Sequence, residues 1–195
     1  MLFNVFPNVS GQAFTDNYTS VVFDQIGAKG FGYEVNFYCG FVVLASSIAA
    51  ALSIDCLGRL PIVMGGCVLM LFSIWLMGIG FYYMSPSMTF ISTIGINIAV
   101  YFGNLGIYYV YMNEISEPFV MGLGLAMLWG SKTIVMLFLP KIYTSYPLPM
   151  VSIIQCCMGI VCFIFMRPLY VETKGKSTLQ IKEDYANLKY NLFTS

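Results

Sequence analysis

Two opposite charges inside membrane-like stretches are the residues whose chemistry stands out in this sequence. Asp16 lies in a moderately polar stretch from about residue 3 to 27, and Lys132 lies in an apolar stretch from about 120 to 140. A charge at the centre of a bilayer costs about 2.5 to 3.5 kcal/mol on insertion scales unless protein, water or another charge faces it. We therefore expect the two side chains to face one polar interior where a solute or a proton passes. A purely structural pair, or an Asp16 hydrated because the first span is short, would explain them too.

Polar and aromatic neighbours extend this predicted site. Gln12 and Asn17 share the first stretch with Asp16 and add hydrogen-bonding groups, while Tyr109 and Trp129 offer flat faces to a bound solute. Aromatic packing between helices is the competing use of those rings. The predicted substrate-binding set is Gln12, Asp16, Asn17, Tyr109, Trp129 and Lys132.

A second charged group stands at the ends of apolar runs. Asp55 and Arg59 flank a short turn-forming loop, and Glu114 ends an apolar run that carries no charge after Arg59. Charges at helix ends on one side of a bundle can meet without entering lipid. The sequence predicts that Arg59 approaches Asp55 or Glu114 and that the three form a gate at the cytoplasmic surface. The alternative is surface charges worth under about 1 kcal/mol each.

The composition excludes several classes of function. The chain is 58% hydrophobic and 9% charged, it has a formal net charge of zero, and it contains no histidine. A soluble domain carries about a quarter charged residues, so these values indicate a polytopic membrane protein. The missing histidine and the neutral charge disfavour a histidine metal site, a histidine-based catalytic pair and nucleic-acid binding. We expect no enzyme, no metal and no cofactor.

Apolar runs of membrane length set the predicted architecture. A span needs roughly 20 apolar residues, and backbone groups in lipid must be paired within their own segment, which favours helices. The fold class is therefore an all-α membrane protein with six transmembrane helices in residues 1–170 and a cytoplasmic tail in 171–195. A soluble segment is the alternative for the first, most polar span. The predicted spans are about 3–27, 33–54, 62–83, 90–113, 120–140 and 148–170.

Basic residues predict the orientation. Arg59 and four tail lysines fall on one side after an even number of crossings, whereas Lys29 and Lys141 fall on the other. The positive-inside rule makes the first side cytoplasmic, with both termini there. The sequence does not indicate which membrane holds the protein.

Four motifs, in the right order, resemble the C-terminal half of a sugar porter of the major facilitator superfamily, spans seven to twelve. Residues 55–61 (DCLGRLP) resemble the family loop D-R-x-G-R-R-P, and residues 172–177 (ETKGKS) match its tail P-E-T-K-G-K-S from the second residue. Residues 114–115 and 122–124 resemble the start of span eleven. Ser10 and Gly11 resemble the centre of the span-seven motif Q-Q-x-S-G-x-N.

The chain also departs from these motifs. Pro7 and Asn8 stand where span seven has its glutamines, so the usual sugar hydrogen-bonding set is reduced. Residues 105–109 replace the G-P-x-P-W of span ten and lose both prolines, and Lys132 stands at an asparagine of span eleven.

The resemblance implies a carrier that moves a small polar solute, a sugar or a polyol, by alternating access. Such a carrier rocks two six-span bundles around a midplane site, so this chain would need a second six-span half or a larger membrane assembly. The chain is then a fragment of a longer protein, one half of a paired carrier, or a non-transporting scaffold or accessory subunit. Its expected partners are the lipid bilayer, the other half and a sugar-like solute.

Overall fold

The computed structural model describes residues 2–115 and 118–194, and within these ranges every regular element is helical. Long apolar segments form helices here because each backbone N–H then finds its partner inside its own segment. The α-helices are α1 (Leu2–Val9), α2 (Gln12–Gln25), α3 (Phe31–Leu57), α4 (Arg59–Tyr82), α5 (Pro86–Ile98), α6 (Leu105–Ile115), α7 (Pro118–Ser145), α8 (Leu148–Met166) and α9 (Thr178–Thr194).

Five spans of the described chain are continuous helices that are long and apolar enough to cross a membrane. A π-helical turn over Ala99–Asn104 joins α5 to α6, so these two elements form one of the spans. The all-helical architecture predicted from the sequence is confirmed. The five ranges are Phe31–Leu57, Arg59–Tyr82, Pro86–Glu114, Pro118–Ile142 and Leu148–Met166.

The first predicted span differs from the others because it is broken. Helix α1 ends at Val9 and α2 begins at Gln12, with Ser10 and Gly11 between them. Gly11 has φ +107°, a left-handed conformation that L side chains rarely adopt, and it therefore ends one helix and starts the next. In place of one helix over 3–27, the structure has two short helices that can take different directions. Helix α1 packs against α7 and α8, and α2 packs mainly against α3.

Helix α4 lies at the centre of the bundle, packed against α5, α8 and the π-helical turn. Within that turn Asn104 is fully buried. Its amide donates to the carbonyl of Ala99 in the same turn at 3.3 Å, and its oxygen accepts the Cys67 thiol of α4 at 3.3 Å. The turn falls just before residues 105–109, where the two family prolines are absent. The chain thus has a helix irregularity near that position without proline.

The segment after α8 folds back onto one end of the bundle. The Tyr111 hydroxyl donates to the carbonyl of Val171 at 3.0 Å, and the rings of Tyr111 and Tyr170 stack with centroids 4.2 Å apart. Tyr185 of α9 also hydrogen-bonds the Tyr111 hydroxyl. The tail is therefore anchored to α6, the helix that carries Glu114.

Candidate functional site

Asp16 and Lys132 form an ion pair across two helices. Asp16 lies one turn into α2, and Lys132 lies in the middle of α7; the Lys132 Nζ and the Asp16 Oδ2 are 2.8 Å apart. Opposite charges at this distance each lower the cost of the other's burial. Helix α7 can hold this lysine at mid-span because the broken first span brings a carboxylate to the same level.

The pair lies at one face of the bundle, where its side chains are partly covered. Asp16 as a whole residue is exposed and Lys132 is half-buried, but the two side chains are only 20% and 24% exposed. The Lys132 Nζ also lies 5.9 Å from the centre of the Trp129 ring, within range of a cation–π contact, and Trp129 is 60% exposed. A charged pair and an exposed indole on one face form a surface that a polar solute could contact from outside this chain.

The other predicted members of this site occupy different surroundings. Gln12 is buried, its side chain is hydrogen-bonded to Tyr101, and its Oε1 has no partner among the described residues. Asn17 donates its amide to the carbonyl of Ala13 in its own helix at 2.9 Å. Tyr109 packs edge-to-face on Tyr108, and no described contact links Tyr109 to the ion pair. The structure therefore brings together Asp16, Lys132 and Trp129 and leaves the other three apart.

Asn8 connects α1, the first half of the broken span, to α7, a contact that residue types alone did not predict. Its buried amide donates to the Leu128 carbonyl and to the Ser131 Oγ, both at 2.9 Å. Ser131 precedes Lys132, so consecutive residues of α7 bind α1 and α2 on the two sides of the break. Asn8 stands at a glutamine position of the span-seven motif, but here it ties two helices together.

The second charged group meets at one end of the bundle. Arg59 begins α4 and Glu114 lies near the end of α6, and the Arg59 Nη2 and Nε donate to the Glu114 Oε1 at 2.6 and 3.2 Å. Their side chains are 12% and 26% exposed. Charge-assisted hydrogen bonds of this kind are the strong ones, particularly where solvent is largely excluded.

Asp55 takes a weaker part in this group. Its Oδ1 lies 3.5 Å from the Arg59 Nη1 across the turn between α3 and α4, and its side chain is 82% exposed. An exposed ion pair contributes about 0.2–1 kcal/mol. Of the three predicted gate residues, Arg59 and Glu114 therefore form the main contact.

Three consecutive tail residues complete this cluster. The Glu172 carboxylate accepts the backbone N–H groups of Arg59 and Leu60 at 3.1 and 2.8 Å and so caps the start of α4. Thr173 donates its hydroxyl to the free oxygen of Glu114, and the Lys174 Nζ donates to the carbonyl of Cys56 at 2.7 Å near the end of α3. A negative group at a helix start and a positive group at a helix end both suit the helix dipole. The tail motif signalled these residues, but their role could not be read from residue types.

Hydrogen bonding sets the charge state of Glu172. Burial alone would raise the pKa of its carboxyl, but the backbone N–H groups of Lys174, Leu60, Arg59 and Thr173 stabilise the anion. These donors outweigh burial, and the pKa lies below its ordinary value of 4.5. The cap is therefore an anion at neutral pH.

Comparison with known proteins identifies the family of this chain. The arabinose-proton symporter of Bacillus subtilis (strain 168) is 26% identical over 191 residues, a match that covers 94% of this chain and 41% of the symporter. The proton:xylose symporter XylE bound to 6-bromo-6-deoxy-D-glucose, a major facilitator superfamily protein, matches with a TM-score of 0.79 at 21% identity. That match also covers 94% of this chain and 41% of XylE. A double tryptophan mutant of XylE gives a TM-score of 0.81 at 22% identity, with the same coverage.

The two structural matches show the fold, and the chain spans 41% of the length of each of these relatives. The helices and the relatives together make this an integral, multi-pass membrane protein of a transporter family and not an enzyme. The model of the Sugar (and other) transporter family matches residues 1–185, so the chain belongs to that family.

Proposed function

We propose that this chain is one six-span half of an alternating-access carrier for a small polar solute, a sugar or a polyol. The observation that carries the proposal is the ion pair between Asp16 and Lys132, which lies on an open face beside the break in the first span. In transporters, substrate and ion sites lie near the membrane midplane where helices are discontinuous. Membership of the Sugar (and other) transporter family supports this solute class.

The ion pair gives this site a definite chemistry. A carboxylate accepts hydrogen bonds from sugar hydroxyls, and an ammonium group donates to them. The pair as a whole has no net charge, so it can bind an uncharged polyhydroxyl solute. Trp129 offers a ring face beside it. Protonation of Asp16 would release Lys132, which is the step a proton-coupled carrier needs. The face therefore suits both solute binding and coupling.

The cluster formed by Arg59, Glu114 and the tail lies at one end of the bundle and supports a gating role there. It joins α4, α6 and the segment after α8 through charge-assisted contacts that can form in one conformation and open in another. We assign this cluster and both chain ends to the cytoplasmic side. The basic loop and the basic tail meet in this cluster, and the positive-inside rule assigns such basic segments to the cytoplasm. Asp55 joins the gate as a minor member.

A second six-span half completes the proposed carrier. The partly exposed pair needs a facing surface to form a closed cavity, and alternating access requires a second bundle. The chain covers 41% of the length of its relatives, which leaves room in a whole carrier for such a bundle. We propose that the other half covers the face that carries Trp129 and the ion pair.

Uptake into proteoliposomes tests this function. Labelled pentoses, hexoses and polyols are offered one at a time to vesicles that hold this chain alone or with a second six-span half of the same family. We expect saturable uptake only with both halves, at least tenfold slower in Asp16→Asn. Asp24→Asn, a matched change in the same helix, should keep it near wild type.

The alternative function is a non-transporting scaffold or accessory subunit. Uptake that is absent for every solute, while the two halves still co-purify, would overturn the carrier and support the scaffold. Uptake that is indifferent to pH in wild type would overturn proton coupling alone. Uptake equal in Asp16→Asn and Asp24→Asn would overturn the assigned site.

A further inference from the structure

A groove runs between α4 and α8, two membrane spans that do not carry the ion pair. Its volume is about 620 Å³, and small-molecule sites commonly have volumes of about 300–1,000 Å³. The groove opens on the outer surface of the bundle, because Trp75 and Ile153 in its walls are 57% and 61% exposed. Its walls include Ile74, Trp75 and Tyr82 of α4 and Ser152, Ile153 and Cys157 of α8.

Ser152 brings a buried hydroxyl without a partner to this groove. The residue is 2% exposed, and its Oγ has no hydrogen-bond partner among the described residues. A Cβ built on Gly78 would lie 3.3 Å from the Ser152 Cβ, so α4 and α8 approach closely here and Ser152 lies at the floor of the groove. A buried hydroxyl without a partner costs free energy. Rotation about one side-chain bond turns it toward a ligand in the groove.

The groove is short enough to lie within one leaflet. It extends from Tyr82, at the end of α4, to Ile74, about 12 Å along the helix axis. A hydrocarbon core is about 30 Å thick, so the groove covers less than half of it. Ser152 lies one turn into α8, near the end of the groove where the exposed rings of Tyr82 and Tyr83 are typical of a membrane surface. A ligand would therefore have its polar group near the surface and its apolar body in the same leaflet.

The lining favours an uncharged and rigid ligand. None of the described residues that line the groove carries a charge, so a lipid phosphate would find no cation there. The walls are apolar and aromatic, and the indole of Trp75 offers a ring face to a flat molecule. A rigid ligand also loses less conformational freedom on binding than a flexible acyl chain does.

We propose that this groove is a binding site for a sterol. A sterol has one hydroxyl at the end of a flat hydrocarbon body and occupies a single leaflet, as the groove requires. Its hydroxyl donates to the Ser152 Oγ, and its rings pack between Trp75 and Ile153. The site does not depend on the proposed function, because the described residues that line it lie in or beside α4 and α8 and none lies in α2 or α7.

Energy transfer to a fluorescent sterol tests this site without any uptake. The sequence has two tryptophans, so Trp129→Phe leaves Trp75 in the groove wall as the only indole donor. This protein is placed in phosphatidylcholine nanodiscs, and dehydroergosterol is added as the acceptor. Specific transfer is the part that excess cholesterol displaces. We expect specific transfer that saturates with added sterol.

Two further changes in the same protein locate the bound sterol. Ser152→Ala should weaken the apparent affinity by about three- to tenfold, the effect of one lost hydrogen bond. Cys157→Phe places a ring in the groove and should weaken the affinity by about tenfold, because the site is then overfilled.

Ser73→Ala and Val161→Phe are the matched controls. Ser73 is as deeply buried as Ser152, but its hydroxyl already donates to the carbonyl of Leu69 at 2.8 Å. Val161 is exposed on α8 and does not line the groove. Both variants should keep the affinity within about twofold. Equal affinity in Ser152→Ala, Cys157→Phe and the two controls would overturn the site.

The 3-O-methyl ether of cholesterol tests the hydroxyl contact itself. It has no hydroxyl to donate, so it should displace dehydroergosterol less well than cholesterol does when Ser152 is present, and equally well in Ser152→Ala. Transfer that only rises in proportion to added sterol, or that cholesterol does not displace, would overturn the proposal. Transfer that is lost as the chain dimerises would assign the groove to a second copy and also overturn it. Specific binding in a protein that moves no solute would keep this site and overturn the carrier.

Discussion

Glu172 accepts the backbone N–H of Leu60 at 2.8 Å, so a residue from the tail caps a helix that begins more than a hundred positions earlier in the chain. Gly58, the residue before α4, supplies no side-chain cap of its own. The first turn of α4 therefore depends on a distant carboxylate for two of its backbone donors. This dependence couples the position of the tail to the helix that carries Arg59.

The two carboxylates around Arg59 should contribute very unequally to stability. Glu114→Gln removes a charge-assisted, largely buried contact and should lower the free energy of unfolding by about 1.5–3 kcal/mol. Asp55→Asn removes an exposed contact at 3.5 Å and should cost at most about 1 kcal/mol. Denaturant unfolding in detergent micelles measures both. Equal costs would contradict the assignment of Glu114 as the main partner.

Tail docking should depend on pH through Glu172. Its pKa is lowered in the folded chain, so its stabilising effect is complete above the ordinary value of 4.5 and is lost as the pH falls through the lowered value. We expect protease protection of the segment after residue 171 to persist at pH 6 and to decline below about pH 4.5. Glu172→Gln should show weak protection at both pH values, whereas Glu183→Gln, on the exposed side of α9, should behave as wild type.

Gly58 should tolerate no side chain. Its φ of +90° and ψ of 168° are almost restricted to glycine, and a Cβ there would lie 3.1 Å from the Glu172 Oε2. Gly58→Ala should therefore strain the turn and displace the cap, with a loss of about 1–3 kcal/mol and a less protected tail. Gly65→Ala in α4 is the control, because a Cβ there would meet nothing within 4 Å. A Gly58→Ala protein as stable as Gly65→Ala would contradict the strain.

The sequence could predict the contacts between charged side chains in or beside apolar runs. Asp16, Lys132, Arg59 and Glu114 stand in or beside apolar runs, and the cost of an unpaired charge there leaves few places for them except against each other. Side chains that can be satisfied in several ways were not predictable in this manner. Asn17 hydrogen-bonds the backbone of its own helix, whereas Asn8 hydrogen-bonds α7.

Backbone geometry set the other limit. In the sequence, the break at Gly11 looks like an ordinary Ser-Gly pair inside a span. Residue types there do not predict the left-handed conformation that Gly11 adopts between α4 and α8. Likewise, the cap by Glu172 depends on where the tail folds back, which no local spacing encodes. The position of the ion pair at a face of the bundle also follows from how α2 and α7 pack, and a sequence pattern gives only its depth.

The ion pair should show strong energetic coupling. Asp16→Asn leaves Lys132 charged without its partner, and Lys132→Met leaves Asp16 in the same position, so each single variant should lower stability. The double variant removes both charges and should recover much of the loss, with a coupling energy of about 1–3 kcal/mol in a double-mutant cycle measured by denaturant unfolding in micelles. Lys176 and Asp184 provide the control cycle: they lie 2.7 Å apart in the tail, and a pair at an aqueous surface should couple by at most about 1 kcal/mol. If the two cycles gave the same small coupling, Asp16 and Lys132 would be ordinary surface charges, and the solute site assigned to them would have to be abandoned.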